Sequence, residues 1–410
     1  MNHVCAKTTA IVLMLCVCLA LLGGCGGGQE IESCLFVLAM AIDPAPDGNL
    51  TVTVKALSGT QEATGGGSES ASGEGTSEDS GGGGEQGGSM GGISALEQAE
   101  PGYIVLSATA SSCLRALSLL SATTPRNVNL SQLREVVINR TLAESDATLS
   151  ILKEIHSMYN ANGGAIVVVT PDDAGDFIRR QRAILGIRLS KYLEVLFDHF
   201  AEIDTIPPDA QLSAVIAAME SSTIDATAVY AAGNNFENTL VLPGTSETDR
   251  LPGHLPRTSP AENEYLGSAL FSGPRMTGVL TGDETGFLCL MMGKAKTRTS
   301  FINGAQYKTN LSTRVVRNID KQTGTLDIRI SMNMTLIAGE ESQTAGHIAA
   351  QIEEGAANVL RKLQTASCDA IGFGRIAVRR SLDIPGWESI GWENVYVDSP
   401  VKVTVRVDVL

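Results

Sequence analysis

The stretch LDIRISMNMTL at residues 326–336 decides the fold class of the C-terminal third, because every second residue in it is apolar. The same alternation returns at residues 401–409, VKVTVRVDV. A period of two places successive side chains on opposite faces of a strand, so that one face is buried and the other meets water. Both stretches are therefore predicted to be half-buried strands of an antiparallel sheet.

A helical pattern separates these two strands. Apolar residues recur on one face of a predicted helix from about Gln343 to Thr365, at Ile348, Ile352, Val359 and Leu363. Such a stripe is buried by packing on the apolar face of a sheet. We therefore predict a C-terminal α+β domain over residues 263–410, with a largely antiparallel sheet packed on one long helix.

Strands and helices alternate in the N-terminal part of the chain. Predicted strands lie at residues 35–42, 49–57, 103–108, 134–139 and 165–170. Leucines at helical spacing predict helices near residues 114–120 and 149–155, and Pro171-Asp172-Asp173 is typical of a helix start. This alternation indicates an α/β-like N-terminal domain over residues 25–182.

A smaller unit is predicted to follow. Residues 189–200 and 209–219 have helical patterns, and residues 227–232 have a strand pattern, so residues 183–232 are assigned to a small middle domain. Prolines then recur through residues 233–262, which indicates a linker. The fold class expected for the whole chain is α+β, with three α+β domains in series.

About half of the net negative charge of the chain lies in one low-complexity segment. The net charge is −15, which argues against a nucleic-acid partner because phosphate binding needs clustered cations. Residues 58–100 are rich in Gly, Ser and acidic residues and contain no Lys or Arg. Such a composition buries too little apolar surface to offset its ordering entropy, so a disordered, solvated insertion is predicted, with an acidic cation sensor as the alternative.

The first residues have the form of a bacterial lipoprotein signal. Lys7 precedes an apolar run from Ala10 to Leu22, which is shorter than the roughly 20 residues that span a bilayer. Leu22-Gly23-Gly24-Cys25 then resembles a lipobox. The prediction is a signal peptide over residues 1–24, cleavage between Gly24 and Cys25, and a diacylglycerol on the Cys25 sulfur. The alternative is a plain signal peptide.

The remaining cysteines do not form a metal or redox motif. Cys34, Cys113, Cys289 and Cys368 are scattered singly, without a C-x-x-C pair. Four buried thiols are expected, with one or two disulfides as the alternative.

Catalytic and cofactor motifs are weak throughout. Gly372-Phe373-Gly374-Arg375-Ile376-Ala377 fits G-x-G-x-x-A, but it follows a predicted helix where a dinucleotide site needs a strand. The mature histidines are isolated in the sequence, without the spacing of a metal site. The pairs Glu340-Glu341 and Glu353-Glu354 are typical of a solvated face. The spacing of Trp387 and Trp392 favours a structural corner over a ligand pocket. We therefore expect no enzyme, no cofactor and no metal site.

Several segments, taken in order, resemble the Ger(x)C spore germination lipoproteins. The lipobox Cys25 is followed by Gln29-Glu30-Ile31-Glu32, then by a strand ending Ala41-Ile42-Asp43 and by Asp47-Gly48-Asn49 before Leu50-Thr51-Val52-Thr53-Val54. Residues 130–139 and Ile166-Val167-Val168-Val169 are similar to the family's first domain. The resemblance to the family's C-terminal domain lies at residues 267–271, 276–280 and 368–374, at Pro385-Gly386-Trp387, at Trp392 and in the final Val-rich strand.

The resemblance implies a role and partners. Members of this family are non-catalytic C subunits of nutrient germinant receptors, with three α+β domains, held at the outer face of the inner spore membrane. They assemble with integral membrane subunits of the A and B types. Two other functions stay open at this point: a solute-binding lipoprotein of a transport system, which usually has two similar α/β lobes, and a surface-anchored hydrolase.

Overall fold

The computed structural model of the chain has a mixed α/β fold with two sheets. It describes residue 14 and residues 33–58, 102–184, 186–234, 249–255, 263–295, 299–302, 305–309, 313–338, 344–380 and 383–410. Two sheets and eleven α-helices lie within these ranges, so the predicted α+β class is confirmed. Apart from residue 14, the predicted signal peptide lies outside the described residues, as do Cys25 and nearly all of the Gly-rich insertion.

The larger sheet has nine strands. Their bounds are β1 (Cys34–Pro44), β2 (Leu50–Leu57), β3 (Tyr103–Ala110), β4 (Asn127–Asn129), β5 (Glu135–Asn139), β6 (Ile166–Thr170), β7 (Thr227–Gly233), β8 (Asn263–Ser272) and β9 (Arg275–Leu280). The spatial order is β3-β2-β1-β5-β6-β7-β8-β9, with β4 beside β1. The pairs among β1, β5, β6 and β7 are parallel, and antiparallel hairpins flank them on both sides.

Helices cover both faces of this sheet. They are α1 (Cys113–Thr123), α2 (Arg140–Ala143), α3 (Thr148–Ser157), α4 (Ala174–Arg180), α5 (Leu189–Glu202) and α6 (Leu212–Met219). On β1, Met40 and Ile42 join the core that includes α1, α3 and α6, whereas Leu38 and Ala41 join the core with α4 and α5. Because both faces are buried, β1 is an almost continuous apolar run.

The smaller sheet belongs to the C-terminal region. Its elements are α7 (Gly282–Met291), β10 (Thr299–Ile302), β11 (Ala305–Thr309), β12 (Arg314–Ile319), β13 (Leu326–Ala338), α8 (Ala345–Thr365), α9 (Gly374–Ala377), α10 (Ile384–Ile390), α11 (Trp392–Asp398) and β14 (Val401–Val409). The predicted face of α8 is buried in the core of this sheet, including Ile348, Ile352, Val359 and Leu363. The long helix on a half-buried sheet is confirmed.

One strand pairing differs from the prediction. The strands β13 and β14 were expected in an antiparallel sheet, and they pair in parallel, from Leu326 opposite Val401 to Met334 opposite Val409. The connection between them contains α8, and a helical crossover of this kind returns the chain to the same end of the sheet. The pairs β10-β11, β11-β13 and β12-β13 are antiparallel, so the sheet is largely antiparallel.

The larger sheet extends across the predicted linker. Strand β8, at the start of the predicted C-terminal domain, pairs with β7 from the predicted middle domain, and β9 pairs with β8. Gly267 on β8 has φ +98°, and a Cβ there would lie 2.2 Å from the Leu280 carbonyl oxygen, so this close approach requires glycine. Strand pairing does not establish which units fold independently, and the three-domain division stays a prediction.

Candidate functional site

An apolar cavity of about 370 Å³ lies between the end of α4, helix α5 and the start of β8. Its apolar wall comes mainly from α5 and the residue after it, with Leu193, Leu196, Phe200 and Ile203. Its polar wall comes from Arg180 at the end of α4, from Gln181 and Arg182 after it, and from Asn263 and Glu264 on β8. A cavity of this size with few polar groups falls in the range of about 300–1,000 Å³ typical of small-molecule sites.

Helix α5 forms its wall because it carries two adjacent apolar stripes. Leu189, Leu193 and Phe197 are buried against the sheet at i, i+4 and i+8. Tyr192, Leu196 and Phe200 lie one step around the helix, remain half-buried and include cavity-lining positions. The helix starts where the Tyr103 hydroxyl accepts a hydrogen bond from the Leu189 amide at 2.8 Å. The second stripe leaves apolar surface that the sheet does not cover.

A buried polar network lies behind the polar wall. The side-chain amide of Gln181 donates a hydrogen bond to the Tyr265 hydroxyl at 2.6 Å and another to the Glu135 carboxyl group. The Tyr265 hydroxyl donates to Glu135 Oε2 at 3.2 Å. Lys55 Nζ donates to the backbone carbonyls of Ile178 and Gln181. All four side chains are buried, so this network fixes the polar wall in one arrangement.

Burial dominates the electrostatics of this network. It raises the pKa of Glu135 to about 7, against the opposing hydrogen bonds from Gln181 and Tyr265 and the charge of Lys55. Burial also raises the pKa of Tyr265 well above its ordinary value, and the nearby Glu135 carboxyl group adds to that rise. Glu135 is therefore a carboxyl group that takes up a proton near neutral pH.

The mouth of the cavity combines apolar and cationic side chains. Ile184 and Ile203 line it and are 49% and 39% exposed. Arg182 is exposed and has no ion pair or side-chain hydrogen bond with any residue the structure describes, whereas Arg180 pairs with Asp172 at 3.2 Å. Residues 179–191 contain Lys and Arg but no Asp or Glu, in a chain of net charge −15.

A second polar cluster joins the two sheets. The Asp369 amide donates to Asp225 Oδ2 at 2.8 Å, and the Asp225 amide donates to the Asp369 carbonyl oxygen at 3.3 Å. The Asp369 carboxyl group accepts hydrogen bonds from the amides of Gly372, Phe373 and Gly374 and from the Trp392 indole. Burial raises the pKa of Asp369 to about 7 despite these donors. The cluster links the loop after α8 to the segment before β7.

This cluster explains the glycine motif. The amides of Gly372-Phe373-Gly374, which in a dinucleotide site would face a phosphate, are used by the chain's own carboxyl group. A Cβ on Gly374 would lie 2.6 Å from the Thr223 carbonyl oxygen and 2.8 Å from Trp392 Nε1, so the position requires close packing. Trp387 and Trp392 are buried with ring centroids 6.1 Å apart, and both belong to the hydrophobic core of the smaller sheet.

The other residues singled out in the sequence do not converge. His156, His199, His254 and His347 are exposed on separate elements. The Glu353 carboxylate accepts a hydrogen bond from the Val405 amide at 2.7 Å, and Glu340 and Glu341 lie outside the described residues. Cys34, Cys113, Cys289 and Cys368 are all buried, and no disulfide joins these four. Within the described ranges, no group of three or more His, Cys, Asp or Glu side chains is arranged to hold a metal ion.

Among the residues that the structure describes, no helix is both long and apolar enough to cross a bilayer.

The cavity itself was not predicted from the sequence. Its polar wall joins residues near 181 to residues near 264, and no periodicity connects such distant positions. One local signal was present, the basic and apolar run of residues 179–191 that surrounds the mouth.

Both halves of the chain match models of known protein families. Residues 27–232 match the family model described as the spore germination protein N-terminal domain, and residues 266–410 match the one described as spore germination B3/GerAC like, C-terminal. No curated protein matches the chain. A solved structure, titled the crystal structure of the GerBC protein, is similar over 90% of this chain and 96% of its own, with 11% identity and a TM-score of 0.44.

The two family matches agree with the order of motifs quoted from the sequence. The first spans half of the chain, and the second begins in β8 and continues through β14. The predicted resemblance is confirmed, and the chain belongs to the GerAC-like, or Ger(x)C, family of spore germination proteins.

Proposed function

We propose that the mature chain is a non-catalytic, lipid-anchored C subunit of a nutrient germinant receptor. Membership in a germinant receptor family supports a role in spore germination and an association with the membrane. The observation that carries the finer proposal is the order of segments, in which the lipobox ending at Cys25 directly precedes the N-terminal family match that begins at residue 27. Two acyl chains on one sulfur hold a protein stably at a bilayer, whereas a single chain holds it only marginally.

The proposed partners are the A- and B-type integral membrane subunits, at the outer face of the inner spore membrane. In this arrangement the chain contributes binding surfaces and no catalysis. The two sheets support this proposal over a solute-binding lipoprotein, because they are unlike each other, with nine strands and five strands, and do not form two similar lobes.

The anchor is tested by substitution of the acyl acceptor. Cys25→Ser should shift the protein from the membrane fraction to the aqueous phase of a detergent partition, and should remove the diacylglycerol mass from the N-terminal peptide. Cys18→Ser is the matched control, because Cys18 lies in the predicted signal peptide and should leave both readouts unchanged. A bare Cys25 thiol in the wild-type protein would contradict the proposal.

Assembly is tested by isolation from spore membranes. The tagged wild-type chain should co-purify with A- and B-type subunits in mild detergent, and its deletion should abolish the germination response to one class of nutrient. Isolation of the chain alone under conditions that preserve other membrane complexes would exclude the proposed assembly. A normal response of deletion spores to every nutrient class would exclude the proposed role.

A further inference from the structure

We propose that the cavity between α4, α5 and β8 binds a single-chain anionic lipid whose head group also carries hydrogen-bond donors. A lysophospholipid with a glycerol phosphate head is the simplest molecule of this class. This ligand site lies on the chain itself and is independent of its anchor and its receptor partners.

The cavity has an apolar part and a polar part, as an amphiphile does. Helix α5 and the residue after it supply Leu193, Leu196, Phe200 and Ile203, which would contact an acyl chain. The segment after α4 and the first residues of β8 supply Gln181, Arg182 and Asn263. Apolar residues predominate on α5, whereas the polar residues come from the segment after α4 and the start of β8, which also supply Ile184 and Leu266. A molecule with a separate tail and head matches this lining.

The cationic residues at the mouth select an anion. Arg182 lines the cavity, is exposed, and forms no ion pair within the described parts of the chain. An unengaged guanidinium binds phosphate or carboxylate through paired N–H donors. Arg180 contributes positive charge from the same wall although it pairs with Asp172. Glu264, the acidic residue of the cavity wall, accepts hydrogen bonds from the amides of Gly253 and Leu255.

Two buried acceptors on the polar wall lack donors. Gln181 Oε1 and Asn263 Oδ1 are buried, and neither has a hydrogen-bond partner among the residues that the structure describes. The side-chain nitrogens of both residues are already used, by Glu135 and Tyr265 for Gln181 and by the Phe177 carbonyl for Asn263. Buried acceptors are normally satisfied, so these two favour a ligand with hydroxyl or N–H donors over a simple fatty acid.

The test uses the full chain with Cys25→Ser, which removes the proposed acyl acceptor. A fluorescent dansyl-undecanoic acid is bound first and then displaced by palmitoyl lysophosphatidylglycerol below its micellar concentration. We expect displacement at micromolar concentration, and at least tenfold weaker displacement by palmitate, which lacks hydroxyl donors, and by monopalmitoylglycerol, which lacks the anion. Equal displacement by palmitate would overturn the donor requirement, and no displacement by the lysolipid would overturn the site.

Matched variants locate the binding. Ile184→Glu places a charge at the cavity mouth, and Val195→Glu places the same charge on a similarly exposed position of α5 that does not line the cavity. The first should weaken lysolipid binding at least tenfold, and the second should leave it unchanged. Arg182→Gln should weaken the lysolipid about tenfold and leave monopalmitoylglycerol unchanged. Equal weakening by Ile184→Glu and Val195→Glu would place the binding elsewhere.

A second measurement uses the wild-type protein, so it does not depend on the folding of the Cys25→Ser variant. It also distinguishes binding of a free lipid from binding to a bilayer surface. Native mass spectrometry of the wild-type protein should show one retained lysolipid, which is lost in Ile184→Glu and kept in Val195→Glu. Binding to phosphatidylglycerol vesicles without binding of the monomeric lysolipid would overturn the cavity site in favour of contact with a membrane surface.

Discussion

The two sheets differ in how many of their faces are buried. The nine-stranded sheet has helices on both faces, and Lys55 and Glu135 are fully buried within it. The five-stranded sheet is covered by α8 on one face, and the other face carries exposed residues such as Lys402, Thr404 and Arg406. A sheet with one open face can place its charges in water, whereas a sheet with two buried faces must provide partners for the charges buried inside it.

The largest expected effect is the loss of the buried cation. Lys55→Met removes the donor to the Ile178 and Gln181 carbonyls and the charge beside Glu135, so we expect the free energy of unfolding to fall by about 3–5 kcal/mol. Lys402→Met, on the open face of β14, should change it by less than about 0.5 kcal/mol. Urea unfolding measures both. Similar losses for the two variants would remove the distinction between the sheets.

The pH dependence of stability should depend on the same buried network. Burial raises the pKa of Glu135 to about 7, so the native state binds a proton that the unfolded chain has released. This contribution is fully present below the ordinary glutamate pKa of about 4.5 and is lost as the pH rises through about 7.

Between pH 5 and pH 8 the loss from Glu135 amounts to about 2–3 kcal/mol. Glu135→Gln should remove this contribution and reduce the slope of the unfolding free energy against pH, and the slope that remains includes that of buried Asp369, whose pKa is also raised to about 7. The Arg406→Gln variant on the open face of β14 is the control and should keep the wild-type slope. A wild-type protein that is more stable at pH 8 than at pH 5 would contradict the assignment.

The junction between the sheets should be sensitive to one methyl group. Gly374→Ala would bring a Cβ to 2.6 Å from the Thr223 carbonyl oxygen, so we expect a loss of about 2 kcal/mol and a separation of the calorimetric transition into two. Gly346→Ala on α8 meets no atom within 4 Å and should stabilise by up to about 1 kcal/mol. If both variants behave alike, the junction does not couple the sheets.

The smallest effect is expected at the single hydrogen bond from α8 to β14. Glu353→Ala leaves the Val405 amide without its 2.7 Å acceptor, and a half-buried bond of this kind contributes about 1 kcal/mol. Glu353→Gln keeps an acceptor and should lose less than half of that. Thermal unfolding distinguishes the two variants, and equal losses would show that the bond contributes little.

The sequence predicted the strands and helices whose apolar residues follow from burial on one face or on both faces. Strict alternation located β13 and β14, the apolar run located β1, and the stripe at Ile348 and Ile352 located α8. Helix α7 was missed because Leu288, Leu290 and Met291 are buried on several sides, which removes the helical period. Strand β12 was missed because most of its residues are exposed.

The sequence predicted the elements better than it predicted how they are arranged in the fold. Alternation gives the buried face of β14 but not its direction, so the parallel pairing with β13 could not be predicted from the pattern. The cavity depends on the proximity of Gln181 and Tyr265, which are joined through Glu135 and not through any local repeat. The four buried cysteines could be predicted because isolated cysteines usually behave as small apolar residues.

The pairing of β7 with β8 has a practical consequence for fragments of the chain. The first family match ends at residue 232 and the second begins at residue 266. A cut between them separates β7 from β8, which are neighbouring strands of one sheet. A fragment ending there would present β7 as a bare strand edge and uncover core positions otherwise filled by Ala269 and Phe271. Bare edges recruit other chains, so either half expressed alone is expected to aggregate unless the cut is moved past Leu280.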